Sequence, residues 1–199
     1  MREITMILIK RIFDFLLSLI ALIILSPLFL IIAICIKIDS KGAVFFKQER
    51  LGKDGEVFLI YKFRTMVPNA EKIGSGIYTS KSDPRITKVG GFLRKTSLDE
   101  LPQLINVLKG EMSIVGPRPP VPYHPHKYED YSEKQKMRFT VLPGITGYAQ
   151  VNGRNTLTWD ERIEYDIKYV ENFSLLLDIK IIFKTIGYAF NKKAIYSNK

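Results

Sequence analysis

The sequence is short of the residues that most often declare a chemistry. A single cysteine, Cys35, excludes an internal disulfide framework and any zinc site built from several thiolates. The two histidines, His124 and His126, lie two apart in a proline-rich stretch without a third ligand beside them, which argues against a histidine metal site. There is no G-x-x-x-x-G-K-S/T run and no strand-linked G-x-G-x-x-G, so the usual phosphate-loop and dinucleotide fingerprints are absent. Acidic residues are in deficit too: 20 Asp and Glu stand against 30 Lys and Arg, a formal charge of +10. That surplus asks for an anionic partner, whether nucleic acid, anionic lipid or a phosphorylated substrate. What is present is 46% hydrophobic, too apolar for wholesale disorder, and 199 residues suit one compact domain with an appendage.

The apolar residues are not spread evenly. Phe15 to Ile36 is a run of 22 residues without a charge, dominated by Leu and Ile. At ~1.5 Å per residue, such a helix just crosses a hydrocarbon core of roughly 30 Å. A cleaved signal peptide is disfavoured, because the run is long and lacks a small-x-small site before Lys37. A single spanning helix and a re-entrant hairpin remain. Ser26-Pro27 at mid-run favours the hairpin: proline removes an i→i−4 hydrogen bond, and Ser26 can serve the freed carbonyl. Both flanks are also basic (Lys10 and Arg11; Lys37, Lys41 and Lys47), which draws both ends to the cytoplasm. Residues 1–36 are therefore expected to be a membrane anchor, and 37–199 the domain that does the work. That domain has 27 basic and 18 acidic residues and should lie against an anionic leaflet.

Two antiparallel strands are expected at 43–50 and 56–63, joined at Asp54-Gly55. Residues 68–83 read as a polar loop and 86–95 as a weak helix interrupted by Gly90-Gly91. Leu98, Leu101, Leu104, Ile105 and Leu108 recur at helical spacing up to Gly110. Five prolines keep 115–125 extended or turning, while 127–138 is charged and reads as helix. A turn-rich stretch from Pro143 to Arg154 precedes a helix from Trp159 to Val170. Phe173 to Phe190 reads either as a helix in the membrane interface or as a core helix. The expected class is α+β and mainly helical: a re-entrant anchor, a short β-hairpin and a small domain with interfacial amphipathic helices.

The chemistry-bearing segment is Arg94-Lys-Thr-Ser-Leu-Asp-Glu-Leu-Pro-Gln-Leu-Ile-Asn. Pro102 is tolerated only in a first helical turn, so a helix should begin near Ser97–Asp99, and Ser97-x-x-Glu100 has capping-box spacing. Asp99 and Glu100 then occupy a helix N-terminus, where the dipole should keep a carboxylate ionised for nucleophilic attack or magnesium binding. Capping alone also explains acidic residues there. Arg94 precedes the pair by one turn, Arg118 sits between Pro117 and Pro119, and Arg154 follows Asn152-Gly153. A planar guanidinium held by such neighbours suits phosphate, although each arginine alone also reads as solvated surface charge. Asp160, Glu164 and Asp166 read as decoration of a solvated helix face. Trp159, Tyr165 and Tyr169 read either as core or as interfacial residues.

These segments carry a resemblance. Ser-Leu-Asp-Glu-Leu-Pro-Gln-Leu at 97–104, Gly-Pro-Arg-Pro at 116–119, Pro-Gly-Ile-Thr-Gly at 143–147 and Gln-Val-Asn-Gly-Arg-Asn at 150–155 resemble the bacterial sugar transferases. Those are small monotopic phosphoglycosyl transferases that begin lipid-linked glycan assembly. Tyr-Lys-Phe-Arg-Thr-Met at 61–66, Asp-Pro-Arg-Ile-Thr at 83–87 and Ser26-Pro27 fit as well, so the likeness runs from the anchor to about residue 185. It implies transfer of a sugar 1-phosphate from a UDP-sugar to undecaprenyl phosphate, with Mg2+ and release of UMP. It also implies Asp99 as the nucleophile of a covalent phosphosugar intermediate, facing the metal as well. Glu100 would assist the lipid phosphate in the second half-reaction, with a role as its base among the readings, and Arg94, Arg118 and Arg154 would hold substrate anions. Ser26 and Pro27 would break a re-entrant helix at the cytoplasmic face of the bacterial inner membrane, among membrane lipids. A homodimer is compatible with all of this.

Departures from the family's pattern are few. Gly91 stands where many relatives carry a basic residue, and 120–138 follows no pattern. Two readings from other classes compete: a membrane-tethered nucleic-acid binder, for which no module is evident, and a non-catalytic scaffold of the same fold, against which the intact Asp99-Glu100 argues.

Overall fold

A computed structural model of the protein describes residues 2–70, 73, 76, 83–153 and 156–190. Most of the loop expected at 68–83 falls outside the described residues, as does Arg154.

Helix α1 (Arg2–Asp39) contains the apolar run. Its Thr5–Asp39 stretch is long and apolar enough to cross a membrane. The two limbs expected on either side of Ser26-Pro27 are here one helix that continues through Pro27. Ser26 shows why it can continue. Its hydroxyl donates to the Ile23 carbonyl at 2.8 Å, the acceptor that the missing Pro27 N–H leaves without its helical partner. Both ends of α1 rest on the same domain. Near the N-terminal end, Lys10 bonds Asp178 at 2.6 Å, Arg11 donates to the Val107 carbonyl at 2.6 Å, and Asp14 accepts from the Ser113 hydroxyl at 2.7 Å. Near the other end, Ile32 and Ile36 pack with Phe63 and Leu93, and Asp39 accepts from the Val89 N–H at 2.9 Å.

Strands β1 (Phe45–Leu51) and β2 (Val57–Phe63) form the expected antiparallel hairpin. Asp54 and Gly55 turn it with φ of 55° and 81°. Helix α2 (Lys88–Thr96) is firmer than its glycines promised. Thr87 caps it by accepting from the Gly90 N–H, and Gly90 lies so near the Thr65 backbone that a Cβ there would fall 2.0 Å from its carbonyl oxygen. That glycine is a packing requirement. Gly91 leaves the helix intact.

A 3-10 turn, Leu98–Glu100, leads into α3 (Gln103–Lys109), which Gly110 ends at φ 86°. The expected capping box does not form. Ser97 is the left-handed C-cap of α2 at φ 58°, and its side chain makes no capping bond to the turn that follows. Strand β3 (Ser113–Val115) pairs in parallel with β4 (Gly144–Thr146), a pairing absent from the expected elements. The charged stretch read as one helix is three short pieces: 3-10 turns at Tyr128–Asp130 and Met137–Phe139, with α4 (Glu133–Lys136) between them. Their apolar residues, Tyr131 and Phe139, turn inward against Leu51, Ile163 and Ile167, a geometry one straight helix would not provide. Short α5 (Tyr148–Asn152) sits in the stretch read as turns. Helix α6 (Trp159–Glu171) appears as expected, with a capping box between Thr158 and Glu161.

Helix α7 (Leu175–Phe190) is a core helix on one face and exposes apolar residues on the other. Ile181 is buried against Val115, Val151 and Tyr169, while Leu176, Ile179, Phe183 and Ile186 are exposed. Tyr169 belongs to the core; Tyr165 packs edge-on against Tyr148. Cys35 is an exposed residue of α1.

Candidate active site

Three elements converge on one cavity of about 530 Å³. The first is the 3-10 turn that carries Asp99 and Glu100, with Arg94 in the last turn of α2 just before it. The second is β2, which brings Lys62. Asn106, wholly buried on α3, accepts from the Tyr61 N–H at 3.0 Å and donates to the Leu59 carbonyl at 2.7 Å. A side-chain amide thus stands in for a neighbouring strand and ties β2 to α3, which places Lys62 beside Glu100. The third is the Gly-Pro-Arg-Pro segment. Its backbone is clamped on both sides, by Gly116 N–H to the Thr146 carbonyl and by Gly144 N–H to the Pro117 carbonyl. No side chain fits at Gly116, where a Cβ would meet the Leu142 carbonyl oxygen at 2.4 Å. Arg50 and Arg138 bind the Pro119 and Arg118 carbonyls, so the Arg118 side chain leaves a fixed backbone.

Adjacent carboxylates are in opposite states. Glu100 is clamped: Lys62 reaches its Oε1 at 2.8 Å and Arg118 the same oxygen at 2.7 Å. Burial alone would raise the Glu100 carboxyl, but the charges and hydrogen bonds of Arg118 and Lys62 outweigh it and hold the group far below the usual carboxylate range. Asp99, one residue away and half-buried, makes no hydrogen bond or ion pair among the described residues. Burial, with Glu100 adding to it, raises its carboxyl, while Lys62, Arg118 and Arg94 pull it back. This is not the lowering expected of a helix N-terminus, because desolvation outweighs the local dipole. Lys62 is in turn lowered, by burial first. The result is one spent anion and one available anion, both in a field of cations.

The sequence identified Arg94, Asp99, Glu100 and Arg118, and the structure brings all four together. Arg154 lies outside the described residues, and Ser26 and Pro27 belong to α1 rather than to the cavity. Sequence reasoning passed over Lys62, Arg138 and Asp166. Lys62 follows Phe58 and Ile60 on the inward face of β2, and that alternation marked it. Asp166 is a correction: it does not decorate a solvated face. It is 1% exposed, pairs with Arg138 at 2.7 Å, and is pushed up to about 6 by burial against the pull of that arginine.

Asp99 is also where a divalent cation fits. Mg2+ commonly takes one or two carboxylates and completes its shell with water and substrate phosphates. The unpartnered Asp99 oxygens meet that need, whereas Glu100 is already taken up by two cations. Among the described residues no group of three His, Cys, Asp or Glu side chains could cage a metal, so a bound ion would depend on substrate oxygens.

A profile of the bacterial sugar transferases matches residues 5–192. The chain belongs to that family. It is 46% identical to the UDP-glucose:undecaprenyl-phosphate glucose-1-phosphate transferase of Klebsiella pneumoniae, across 94% of this chain and 41% of that one. The protein of the same name from Escherichia coli is 45% identical across 95% of this chain and 42% of its own. This sugar transferase chain thus spans about two fifths of those relatives. It covers most of a smaller one, the exopolysaccharide production protein ExoY of Sinorhizobium fredii, at 42% identity across 89% of this chain and 83% of that one.

Proposed function

We propose that the protein transfers a sugar 1-phosphate from a UDP-sugar to undecaprenyl phosphate, through a covalent intermediate on Asp99. The observation that carries this reading is the opposite state of neighbouring carboxylates: Glu100 bound by Lys62 and Arg118, Asp99 unpartnered in the same cavity. A clamped carboxylate is a poor nucleophile and a poor base, and an unpaired one facing a cationic cavity is a good nucleophile toward phosphorus.

In the first step an Asp99 oxygen attacks the phosphorus that bears the sugar. The bond from that phosphorus to the bridging oxygen breaks, and UMP leaves with the oxygen and its electron pair. In the second, a phosphate oxygen of the lipid attacks the same phosphorus and expels the Asp99 carboxylate, giving the lipid diphosphate sugar. Both steps gather negative charge, which Lys62, Arg94 and Arg118 are placed to neutralise without rearrangement. Glu100 acts by position: it holds Lys62 and Arg118 in place, and its depressed pKa leaves it little capacity as a base. Mg2+, held by Asp99 together with substrate phosphate oxygens, would supply further neutralisation of charge on the transferring group.

The site works at a cytoplasmic membrane surface in this reading. Both ends of α1 contact one domain, and with both on one side of a bilayer the apolar run would take a re-entrant course. The basic residues flanking that run favour the cytoplasm for this side. A soluble donor and a lipid-borne acceptor then reach one carboxylate in turn.

The test is UMP release by the detergent-purified chain with Mg2+, undecaprenyl phosphate and a panel of UDP-sugars headed by UDP-glucose, the donor in the names of the two larger relatives. Release of UMP from one donor, abolished in Asp99→Asn, supports the reading. Release of UDP would mean transfer of the sugar without its phosphate and would overturn it.

A further inference from the structure

The cavity continues past the catalytic turn to a wall that the phosphate chemistry does not use. Arg138, 2% exposed, spends one nitrogen on the Asp166 carboxylate and the Arg118 carbonyl; its Nε and Nη1 complete no hydrogen bond, although the Tyr131 hydroxyl lies beside the guanidinium. Asp166 Oδ1 has none, and neither amide atom of Gln150 has one. All three residues line the cavity, with Trp159 and Arg162 beside them. The Arg162 guanidinium lies 5.1 Å from the Trp159 ring centre.

Buried polar atoms without partners cost about 1–3 kcal/mol each, and a native protein carries few. Such atoms occur elsewhere among the described residues too, but five of them gather on three residues of one cavity wall, and that concentration points to a ligand that completes them. The set is mixed: guanidinium donors, a carboxylate acceptor, and an amide that does both. A hydroxyl both donates and accepts, so a ring bearing several hydroxyls answers all of them, and the half-buried Trp159 offers a flat apolar surface for such a ring.

Resting on the reaction proposed above, we infer that Arg138, Gln150 and Asp166, with Trp159, form the subsite that receives the donor's sugar hydroxyls and so selects the sugar. Position agrees with chemistry. Arg138 binds the backbone of Arg118 itself, so the wall adjoins the phosphate clamp, and the sugar is one bond from the reacting phosphate group. The uracil base is separated from it by a second phosphate and a ribose.

The test is calorimetric binding of UDP-glucose, UDP-galactose and UMP to the full-length chain and to Gln150→Ala, with UMP release measured in parallel. Gln150 carries no ion pair, so its truncation leaves Arg138–Asp166 in place. Wild type is expected to prefer one hexose epimer, and Gln150→Ala to narrow that preference by about tenfold, the worth of one good hydrogen bond to a hydroxyl. UMP affinity should stay within about twofold, well inside one lost bond. An unchanged epimer preference would overturn the proposal, as would a parallel loss of UMP affinity, which would assign the wall to the nucleotide. Asp166→Asn, checked for its melting temperature, is a second probe that keeps an acceptor at Oδ1. Binding answers the question of the subsite, whereas UMP release answers that of the reaction, so failure of one is distinguishable from failure of the other.

Discussion

Around Arg85 the guanidinium is consumed by the fold: it pairs with Asp83 through two nitrogens and donates to the carbonyls of Ala70, Ile73 and Gly76. Around Arg118 the same kind of pairing is left open. Its side chain is 43% exposed on a cavity, shares Glu100 with Lys62, and stands next to the unpartnered Asp99. Both clusters join arginine to carboxylate at 2.6–2.7 Å, so the ion pair itself does not separate structure from function. Spare capacity beside the pair does. A satisfied node holds a segment in place, while a node with an unspent carboxylate can accept a substrate.

The sharpest way to break this contrast is at Asp99. Asp99→Asn should lower kcat by more than ~10³-fold, as loss of a nucleophile does, while leaving the melting temperature unchanged. Arg85→Ala should do the reverse. It leaves three carbonyls without their donor and Asp83 with only the backbone N–H of residue 85, so the melting temperature falls clearly in calorimetry, whereas the protein still folded retains its kcat. Equal effects of the two variants on both observables would erase the distinction.

Lys62→Met is an intermediate case, because it removes one of the two cations of an open clamp. A loss of about 10²-fold in kcat is expected, the usual scale for one preorganised charge at a reacting centre. A second signature comes with it. Lys62 lowers the Asp99 carboxyl, so its removal should move the acid limb of the kcat/KM profile to higher pH.

The smallest effect concerns pH and the closed node. Hydrogen bonds from Arg85 lead the causes that hold the Asp83 carboxyl at about 2, below its ordinary value. A carboxyl lowered on folding stabilises the native state above its unfolded pKa, and that contribution is lost as pH falls through the folded value. The difference in stability between wild type and Asp83→Asn should therefore be constant near neutrality and shrink between about pH 4 and pH 2. Thermal melts across that range check it. Activity should fall at higher pH than this contribution does, because it follows Asp99, whose carboxyl is raised, and not Glu100, whose carboxyl is lowered.

How far the sequence foretold this comparison depends on the range of the interactions. The apolar run, the β-hairpin and α6 are written in local spacing and turn residues, and they appear where expected. The region 127–138 breaks into short turns because Tyr131, and Phe139 just after it, must meet Leu51 and α6. That requirement is tertiary, so charge pattern alone reads it as a helix. Asp99, Glu100 and Arg118 were legible because proline fixes the backbone near each of them. For Lys62 the alternation of β2 marked only an inward-facing position; its pairing with Glu100 depends on the buried Asn106 that joins β2 to α3. Asp166 was misread for a different reason. Ile163, Asp166, Ile167 and Val170 share one helical face, and the apolar members should have marked the carboxylate as buried. Its partner Arg138 comes from a separate element 28 residues earlier.

The unpartnered Asp99 is expected to become covalently linked to the donor's sugar phosphate. Intact-protein mass spectrometry after incubation with Mg2+ and the preferred UDP-sugar, without the lipid acceptor, tests it directly. A mass gain of one sugar phosphate, mapped to the peptide containing Asp99, absent from Asp99→Asn and discharged on adding undecaprenyl phosphate, is the predicted result. Full turnover with no adduct, or an adduct on any other residue, would contradict it.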